Sequence, residues 1–271
     1  MRENAALWVV VPCYNEARGI GTTLRALLAQ TDRDFALLLV DNASTDGTAA
    51  AVAAVLGPPL DGAGGATVGA ADRATAGQPA PYRLIHEARK GTGAAADTGF
   101  RHAIGAGARW IARTDADCLP APDWVARIRD SLGAEGLEFV AGRIAPRDDD
   151  LPLTPLDRVL LPLVVAVATR LGALRRRGPQ FRYPYFMAAG NNLAITAALY
   201  LRAGGFPRTA IEEEHEDRVL SETVRTLTDR ARWRRDLVVH NSIRRLRRHG
   251  YVRTIRWYCD HRDLSRQIDV R

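Results

Sequence analysis

The sequence predicts an α/β domain built on a mostly parallel central sheet, and three observations carry that expectation. In the first half, short runs of β-branched and apolar residues alternate with segments whose apolar residues recur at helical spacing. Two of these runs end in acidic clusters, Asp41-Asn42-Ala43-Ser44-Thr45-Asp46-Gly47-Thr48 and Thr114-Asp115-Ala116-Asp117. Carboxylates are thereby placed at the carboxyl ends of strands, where open α/β sheets bind their ligands. The third observation is size: 271 residues, 46% of them hydrophobic, suit a single continuous domain of this class.

The elements follow in order. Leu7 to Val11 reads as a strand, Ala17 to Gln30 as a helix with Ile20, Leu24, Leu27 and Leu28 on one face, Phe35 to Val40 as a strand and Thr45 to Leu56 as a helix. Gly57 to Pro81 is rich in Gly, Ala and Pro and reads as a long surface loop. Alternation resumes with a strand at Tyr82 to His86, a helix at Thr92 to Ala106, a strand at Arg109 to Arg113, a helix at Asp123 to Leu132 and a strand at Phe139 to Gly142. About five parallel-type strands are expected on this pattern. After Asp148-Asp149-Asp150 comes a Leu- and Val-rich stretch, Leu151 to Leu174, read as an acceptor-side insertion or an amphipathic surface helix. The last third offers a strand at Asn191 to Ala197, a helix at Glu216 to Thr228, a strand at Leu237 to His240 and a basic helix from about Ser242.

Composition narrows the function classes. Cys13, Cys118 and Cys259 are odd in number, far apart and form no CxxC pair, so neither a disulfide framework nor a zinc site is expected, and a reduced, cytoplasmic compartment fits. The start of the chain lacks the basic region, longer apolar stretch and cleavage site of a signal peptide. Its longest uncharged apolar run, Val159 to Thr169, is about half of the roughly 20 residues that cross a bilayer, and it contains Pro162. The net charge of +7 is concentrated at the carboxyl-terminal end, where Arg225 to Arg271 hold 14 Arg against 5 Asp. Such a face suits the phosphates of a sugar nucleotide, anionic lipid or nucleic acid, and equally a solvated Arg-rich helix. Lys90 is the one lysine among 38 basic residues and stands out for that reason.

The motifs carry the chemistry. Asp41, closing a buried strand, can accept hydrogen bonds from the N–H groups of a nucleobase edge. Asn42 to Thr48 then turns and caps the next helix, with Ser44 or Thr45 near the cap and Asp46 in the first turn. In an extended chain Asp115 and Asp117 point to the same side, about 7 Å apart at Cα, and can share one metal–nucleotide complex. Mg²⁺ or Mn²⁺ needs only one or two protein carboxylates when a diphosphate supplies other oxygens. Lys90-Gly91-Thr92-Gly93-Ala94-Ala95-Ala96 opens a helix whose free N–H groups could approach a phosphate, Lys90 adding a point charge. The same segment matches the loose dinucleotide fingerprint G-x-G-x-x-A, but in the third unit of the fold; Pro12-Cys13-Tyr14-Asn15-Glu16 occupies the first turn, where the fingerprint belongs. Glu212-Glu213-Glu214-His215-Glu216-Asp217 places carboxylates at a helix start, favourable for dipole reasons alone, and Asp217 is also well placed as a general base.

Together, Val11-Pro12-Cys13-Tyr14-Asn15-Glu16, the Asp41 to Thr48 segment, Thr114-Asp115-Ala116-Asp117, Gly190-Asn191-Asn192, Gly204-Gly205-Phe206-Pro207 and Glu216-Asp217 resemble, in order and over nearly the whole chain, the family 2 glycosyltransferases of GT-A fold. The resemblance implies a single Rossmann-like GT-A domain with a nucleotide-sugar-binding half, residues 1–145, and a mixed acceptor-binding and catalytic-base half, residues 146–271. It implies inverting transfer of a sugar from a nucleoside diphosphate sugar to a nucleophile of an acceptor such as a glycan, a lipid-linked molecule or a small molecule. By motif position Asp41 would bind the base, Asp115 the ribose or donor sugar, and Asp117 the Mg²⁺ or Mn²⁺ that bridges the diphosphate. Pro12, Asn15 and Glu16 look like the first nucleotide-binding loop, Lys90 a donor contact, and Asp217 the catalytic base. His240 lies near where some GT-A enzymes place a third metal ligand. Arg253-Thr254-Ile255-Arg256-Trp257 is similar to the Gln-x-x-Arg-Trp motif of processive members, but with Arg in place of Gln and without long membrane helices, so a single transfer is expected; Arg256 and Trp257 would touch the donor phosphates or the acceptor, or belong to a plain basic helix.

A cytoplasmic location follows, with the arginine-rich end available for peripheral contact with the inner face of the membrane and no nucleic-acid partner. Two readings from other classes compete: a nicotinamide-dependent oxidoreductase using the Gly91-Thr92-Gly93 turn, and a non-enzymatic module binding anionic lipid or nucleic acid through the terminal arginines.

Overall fold

A computed structural model of the chain describes residues 2, 5–60, 81–147, 149, 154, 160, 169, 170, 173, 178–208 and 216–244. The strands are β1 (Leu7–Cys13), β2 (Ala36–Asp41), β3 (Tyr82–His86), β4 (Trp110–Arg113), β5 (Cys118–Pro120), β6 (Phe139–Pro146), β7 (Leu193–Thr196) and β8 (Ala231–Asn241). The helices are α1 (Ile20–Leu28), α2 (Thr48–Leu56), α3 (Thr92–Gly105), α4 (Trp124–Arg129), α5 (Ala197–Arg202) and α6 (Glu216–Leu227), and α4 runs on into a π-helical turn, Asp130–Ala134. All eight strands join one sheet in the order β3-β2-β1-β4-β7-β6-β8-β5.

The amino-terminal part obeys the rule that parallel strands are covered on both faces and so read as continuous apolar runs. Every residue of β1 is buried, as are the first five of β2, and β3, β2, β1 and β4 pair in parallel. Because side chains alternate across a strand, Leu7, Val9 and Val11 pack with Ile20, Leu24 and Leu27 of α1 and Val52 of α2 on one face. Trp8 and Val10 pack with Ala95, Ala96, Phe100 and Ala103 of α3 on the other. The small residues of α3 let it lie close against the sheet. A Cβ on Gly99 would stand 2.5 Å from Val10 Cγ1 and 2.8 Å from Val40 Cγ2.

Beyond β4 the sheet departs from the sequence expectation. β7 runs antiparallel to both β4 and β6, so the strand at Phe139 is separated from the parallel set by a reversed neighbour. β8 is parallel to β6 and antiparallel to β5, with a register shift at Gly142/Arg143. There the backbones approach so closely that a Cβ on Gly142 would stand 2.1 Å from Leu237 O, the use of glycine expected at a bulge. β5 and α5 were not expected; β5 is three residues ending in proline, too short for a periodic signal. Nor was the first half of β8. Its Ala231-Arg232-Trp233-Arg234-Arg235 run has mostly exposed side chains, and its charges are met by Glu135 and Asp236.

Two helices start later than their apolar pattern implies. α2 begins at Thr48 because Gly47 adopts φ 86°, and Asp46, outside the helix rather than in its first turn, accepts the Thr48 N–H at 3.0 Å. α1 begins at Ile20 because residues 15–17 hydrogen-bond to the loop after β2 instead. Residues 61–80, nearly all of Leu151 to Leu174, Glu212 to His215, the basic segment after residue 244 and Arg256 lie outside the described residues. Among those described, no helix is long and apolar enough to cross a membrane.

The α3–sheet contact generates a test. Gly99→Ala adds a methyl group where none fits and is expected to cost about 1–3 kcal/mol of stability. The expected readout is a lower urea midpoint at unchanged slope. An unchanged midpoint would mean that α3 can move off β1 and β2 freely.

Candidate active site at the carboxyl ends of β1, β2 and β4

The loops leaving β1 and β2 are stapled side by side. Asn15, with φ 52°, donates its N–H to Ser44 Oγ at 3.0 Å and accepts the Thr45 N–H on Oδ1 at 2.8 Å. Glu16 N–H donates to Thr48 Oγ1 at 2.9 Å and Ala17 N–H to Asp46 Oδ2 at 2.9 Å. Ser44 and Asp46 thus serve the neighbouring loop. Pro12 is buried in β1, opposite Val40 of β2.

Asp41 closes β2 with its carboxylate turned into this pocket. Its Oδ2 lies 3.3 Å from His86 Nδ1 and accepts the Ser44 N–H at 3.4 Å. Its Oδ1 is buried with no hydrogen-bond partner, although a buried acceptor normally has one. Asn42, expected to belong to a helix cap, is instead a clasp: Nδ2 donates to Glu87 O at 2.9 Å and Arg89 O at 2.8 Å, and Oδ1 accepts the Gly91 N–H at 2.8 Å. The loop it closes delivers Lys90, whose Nζ sits 5.3 Å from the Tyr14 ring centroid and 3.4 Å from Tyr14 Oη. Lys90 therefore reaches across to the β1 loop.

The Gly91-Thr92-Gly93 turn is committed to internal packing. A Cβ on Gly93 would stand 2.3 Å from Pro207 O and 3.0 Å from Glu216 Cβ, so this glycine exists for close approach to the α6 start. It offers no open cradle for a dinucleotide, and the oxidoreductase reading loses its structural basis.

At the end of β4 stands Arg113, 1% exposed and not singled out by the sequence. Its Nε donates to Asp115 Oδ1 at 3.1 Å, while Nη1 and Nη2 both donate to Glu216 Oε1 at 3.2 Å. The guanidinium lies 5.4 Å from the Phe206 ring centroid, and Gly190 packs so tightly on it that a Cβ would stand 2.9 Å from Nη1. Burial works against the Arg113 charge, but Asp115, Glu216 and Asp217 outweigh it and its pKa is raised. Burial also pushes the Glu216 carboxyl up; Arg113 opposes that shift and Asp217 adds to it. Glu216 is thus turned inward as a structural counter-ion. Asp217, next to it, accepts the Gly190 N–H on Oδ2 at 3.0 Å and the Arg218 N–H on Oδ1 at 2.7 Å.

Asp115 to Cys118 forms a turn, closed by the Cys118 N–H to Asp115 O bond at 3.1 Å. The extended-chain geometry expected for Asp115 and Asp117 therefore does not hold. Asp115 is tied to Arg113, whereas Asp117, 30% exposed at its side chain, accepts from Arg244 Nη2 on Oδ2 at 3.2 Å. The same Nη2 lies 3.3 Å from Glu16 Oε2. The turn is fixed from behind by Thr23 Oγ1 donating to Ala116 O at 2.7 Å and by Arg147 Nη1 donating to Asp117 O at 2.7 Å.

The described residues contain no cluster of three or more His, Cys, Asp or Glu able to hold a metal ion. His240 lies within the sheet, in register with Leu119 of β5 and Ala145 of β6. Asp115 is held by Arg113, which leaves Asp117, 30% exposed and paired with Arg244, as the carboxylate at this turn that a hard cation could reach, and one or two such ligands suffice for Mg²⁺ or Mn²⁺ when a diphosphate completes the shell.

Two more groups support the surrounding loops, Asn192 of the Gly190-Asn191-Asn192 motif and Arg208, which the sequence did not single out. Asn192, fully buried, donates to Arg143 O and Leu237 O at 3.0 Å each and accepts from Trp124 Nε1 at 2.9 Å, anchoring the Gly190-Asn191-Asn192 turn under Asp217. Arg208 holds the Gly204 to Arg208 segment to Glu87 Oε2 at 2.7 Å and to Asp97 Oδ2 at 3.3 Å. Pro12, Asn15, Glu16, Asp41, Lys90, Asp115, Asp117 and Asp217 are thereby linked at one end of the sheet: Asp41 to Asn15 through Ser44, Glu16 to Asp117 through Arg244, and Asp115 to the Asp217 helix through Arg113.

Comparison with known proteins bears on the family and the fold. Over 138 residues the chain is 30% identical to Glycosyltransferase AglE of Haloferax volcanii, which covers 50% of this chain and 38% of that protein. It is similar in structure to the mannosyltransferase PcManGT from Pyrobaculum calidifontis, solved with GDP-Man and Mn²⁺, at a TM-score of 0.58 and 24% identity over 88% of this chain and 57% of that one. It is also similar to S. aureus TarS in complex with UDP, at a TM-score of 0.59 and 13% identity over 95% of this chain and 66% of that one. The chain thus spans well under two thirds of AglE and of PcManGT. At these identities the structures establish the fold, a GT-A arrangement with a mostly parallel sheet. Residues 8–193 match the model of Glycosyl transferase family 2, and on a match spanning that much of its 271 residues the chain belongs to that family.

Proposed function

We propose that the protein is a divalent-cation-dependent, inverting glycosyltransferase that moves a sugar from a nucleoside diphosphate sugar to a hydroxyl or other nucleophile of an acceptor, in a single transfer. The observation that carries this reading is the Arg113 bridge, which holds the donor-side Asp115 and the base-bearing start of α6 in one rigid unit. The relatives add support: PcManGT was solved with GDP-Man and Mn²⁺, and TarS with UDP.

Asp41, whose side chain keeps 15% of its surface exposed, would accept a base N–H beside the loop of Pro12, Asn15 and Glu16. Asp115, oriented by Arg113, would accept from a hydroxyl of the ribose or the donor sugar. Lys90, steered by the Asn42 clasp, would contribute charge on the donor side. Asp117 is the residue to hold Mg²⁺ or Mn²⁺, which when bound neutralises the charge of the departing diphosphate. Asp217 would take the acceptor proton. Its two oxygens are fixed by backbone N–H groups, so its lone pairs are aimed while its neighbour Glu216 is spent on Arg113. Attack from the base side with departure on the cation side is an in-line displacement, and it inverts the anomeric centre. Glycoside hydrolysis would require two carboxylates flanking one glycosidic bond and no nucleotide site. The acceptor would be met by the later half, residues 146–271.

Two substitutions separate these roles. Asp117→Ala is expected to weaken Mn²⁺-dependent binding of UDP- or GDP-sugars by about tenfold or more, measured by calorimetry, since a charge-assisted ligand is lost. Binding that needs no cation and ignores the substitution would remove Asp117 from the metal. Asp217→Asn should bind the donor as the unaltered protein does, while turnover, followed as nucleoside diphosphate release, falls by roughly 10²- to 10⁴-fold. Unchanged turnover would exclude Asp217 as the base.

A further inference from the structure

Resting on the nucleotide-sugar reading, the geometry points to Arg244 as a diphosphate-binding residue that is parked on the metal-site carboxylates until the cation and donor arrive. Arg244 follows β8, the strand that pairs with β5 directly after the Asp115 to Cys118 turn. Its Nε bonds Ser242 Oγ at 3.1 Å, and its Nη2 reaches two carboxylates from different loops, Glu16 at 3.3 Å and Asp117 at 3.2 Å. Those loops leave β1 and β4, the neighbouring parallel strands between whose ends a nucleotide diphosphate would lie.

The two anchors differ in kind. Glu16 is buried and keeps its need for a cation whatever else binds. Asp117 is partly exposed and is the ligand assigned to the divalent ion, so the guanidinium and that ion compete for one oxygen. A divalent cation at Asp117 takes the Arg244 acceptor and repels its charge, while a diphosphate brings oxygens that a guanidinium fork engages in pairs. Arg244 is 39% exposed at its side chain, free enough to turn about Ser242 and Glu16 without unpacking the core. Arg147 donates to the Asp117 backbone carbonyl and pairs with Asp149, so it stabilises the turn without occupying the Asp117 carboxylate.

The two halves of this assignment predict effects of opposite sign. In the full chain, Arg244→Gln is expected to bind Mn²⁺ alone about 3- to 10-fold more tightly, because its competitor is gone. The same variant should bind UDP or GDP in saturating Mn²⁺ about tenfold more weakly, because a charge-assisted phosphate contact is lost. Arg244→Lys, which keeps the charge but not the fork, should retain the Mn²⁺ competition and still lose diphosphate affinity. Calorimetry and the electron paramagnetic resonance of free Mn²⁺ read both, with thermal midpoints confirming folded variants. If Mn²⁺ affinity in Arg244→Gln is unchanged or lower, or diphosphate affinity is undiminished, the assignment is overturned while donor binding by the unaltered protein stands. If the unaltered protein binds neither UDP nor GDP with Mn²⁺, the glycosyltransferase reading fails with it.

Discussion

A full positive charge sits under the site with almost no access to water, and the arrangement around it follows from that. Taking a guanidinium out of water is repaid only when its hydrogen bonds are met by opposite charge in good geometry, and losing one partner of such a pair typically costs about 3–5 kcal/mol. Arg113 meets this condition by drawing in Asp115 from its own strand end and Glu216 from a helix more than a hundred residues away. Gly190 leaves room for it and Phe206 caps it. The turns that contain these residues are therefore joined by one buried cation, so that Asp115 and the start of α6, which carries Asp217, are tied to each other.

The same logic recurs around the rim with weaker links. Asn15 with Ser44, Glu16 with Thr48 and Asn42 with Gly91 join loops from three strand ends, each by hydrogen bonds that a one-residue slip would break. Arg208 does likewise for the segment leading toward α6. The scaffold supplies rigid strand ends and the loops supply the chemistry, the usual division of labour in α/β proteins. Between the β1 loop and the turn after β4, Arg244 places one positive charge between the carboxylates of Glu16 and Asp117.

The parallel part of the sheet was legible because burial on both faces leaves a continuous apolar run, as in Leu7 to Val11 and Phe35 to Val40, and because Asp41, Asp115 and Asp117 end such runs abruptly. The direction of β7 was not: a strand is expected at Asn191 to Ala197, but the four residues Leu193 to Thr196 carry no sign of which way it runs. β5 and the charged half of β8 were not, because their pairing rests on partners distant in sequence. Among site residues, Lys90 drew notice as a compositional exception, whereas Arg113, Arg208 and Arg244 were hidden in a chain that uses arginine almost everywhere. Asn42 and His86 act through contacts to other loops, and nothing in their local sequence distinguishes them from turn residues. The pairing of Glu216 with Arg113 was equally out of reach, because the two residues lie more than a hundred positions apart.

The claim beneath all of this is that Arg113 and Glu216 act as one electrostatic unit joining the two halves of the site. A double-mutant cycle in urea on Arg113→Met and Glu216→Gln tests it directly. Each single change strands or weakens a buried partner, so the account predicts that the combined variant loses less stability than the two losses added together, by about 1 kcal/mol or more. Losses that simply add, within about 0.5 kcal/mol, would contradict it.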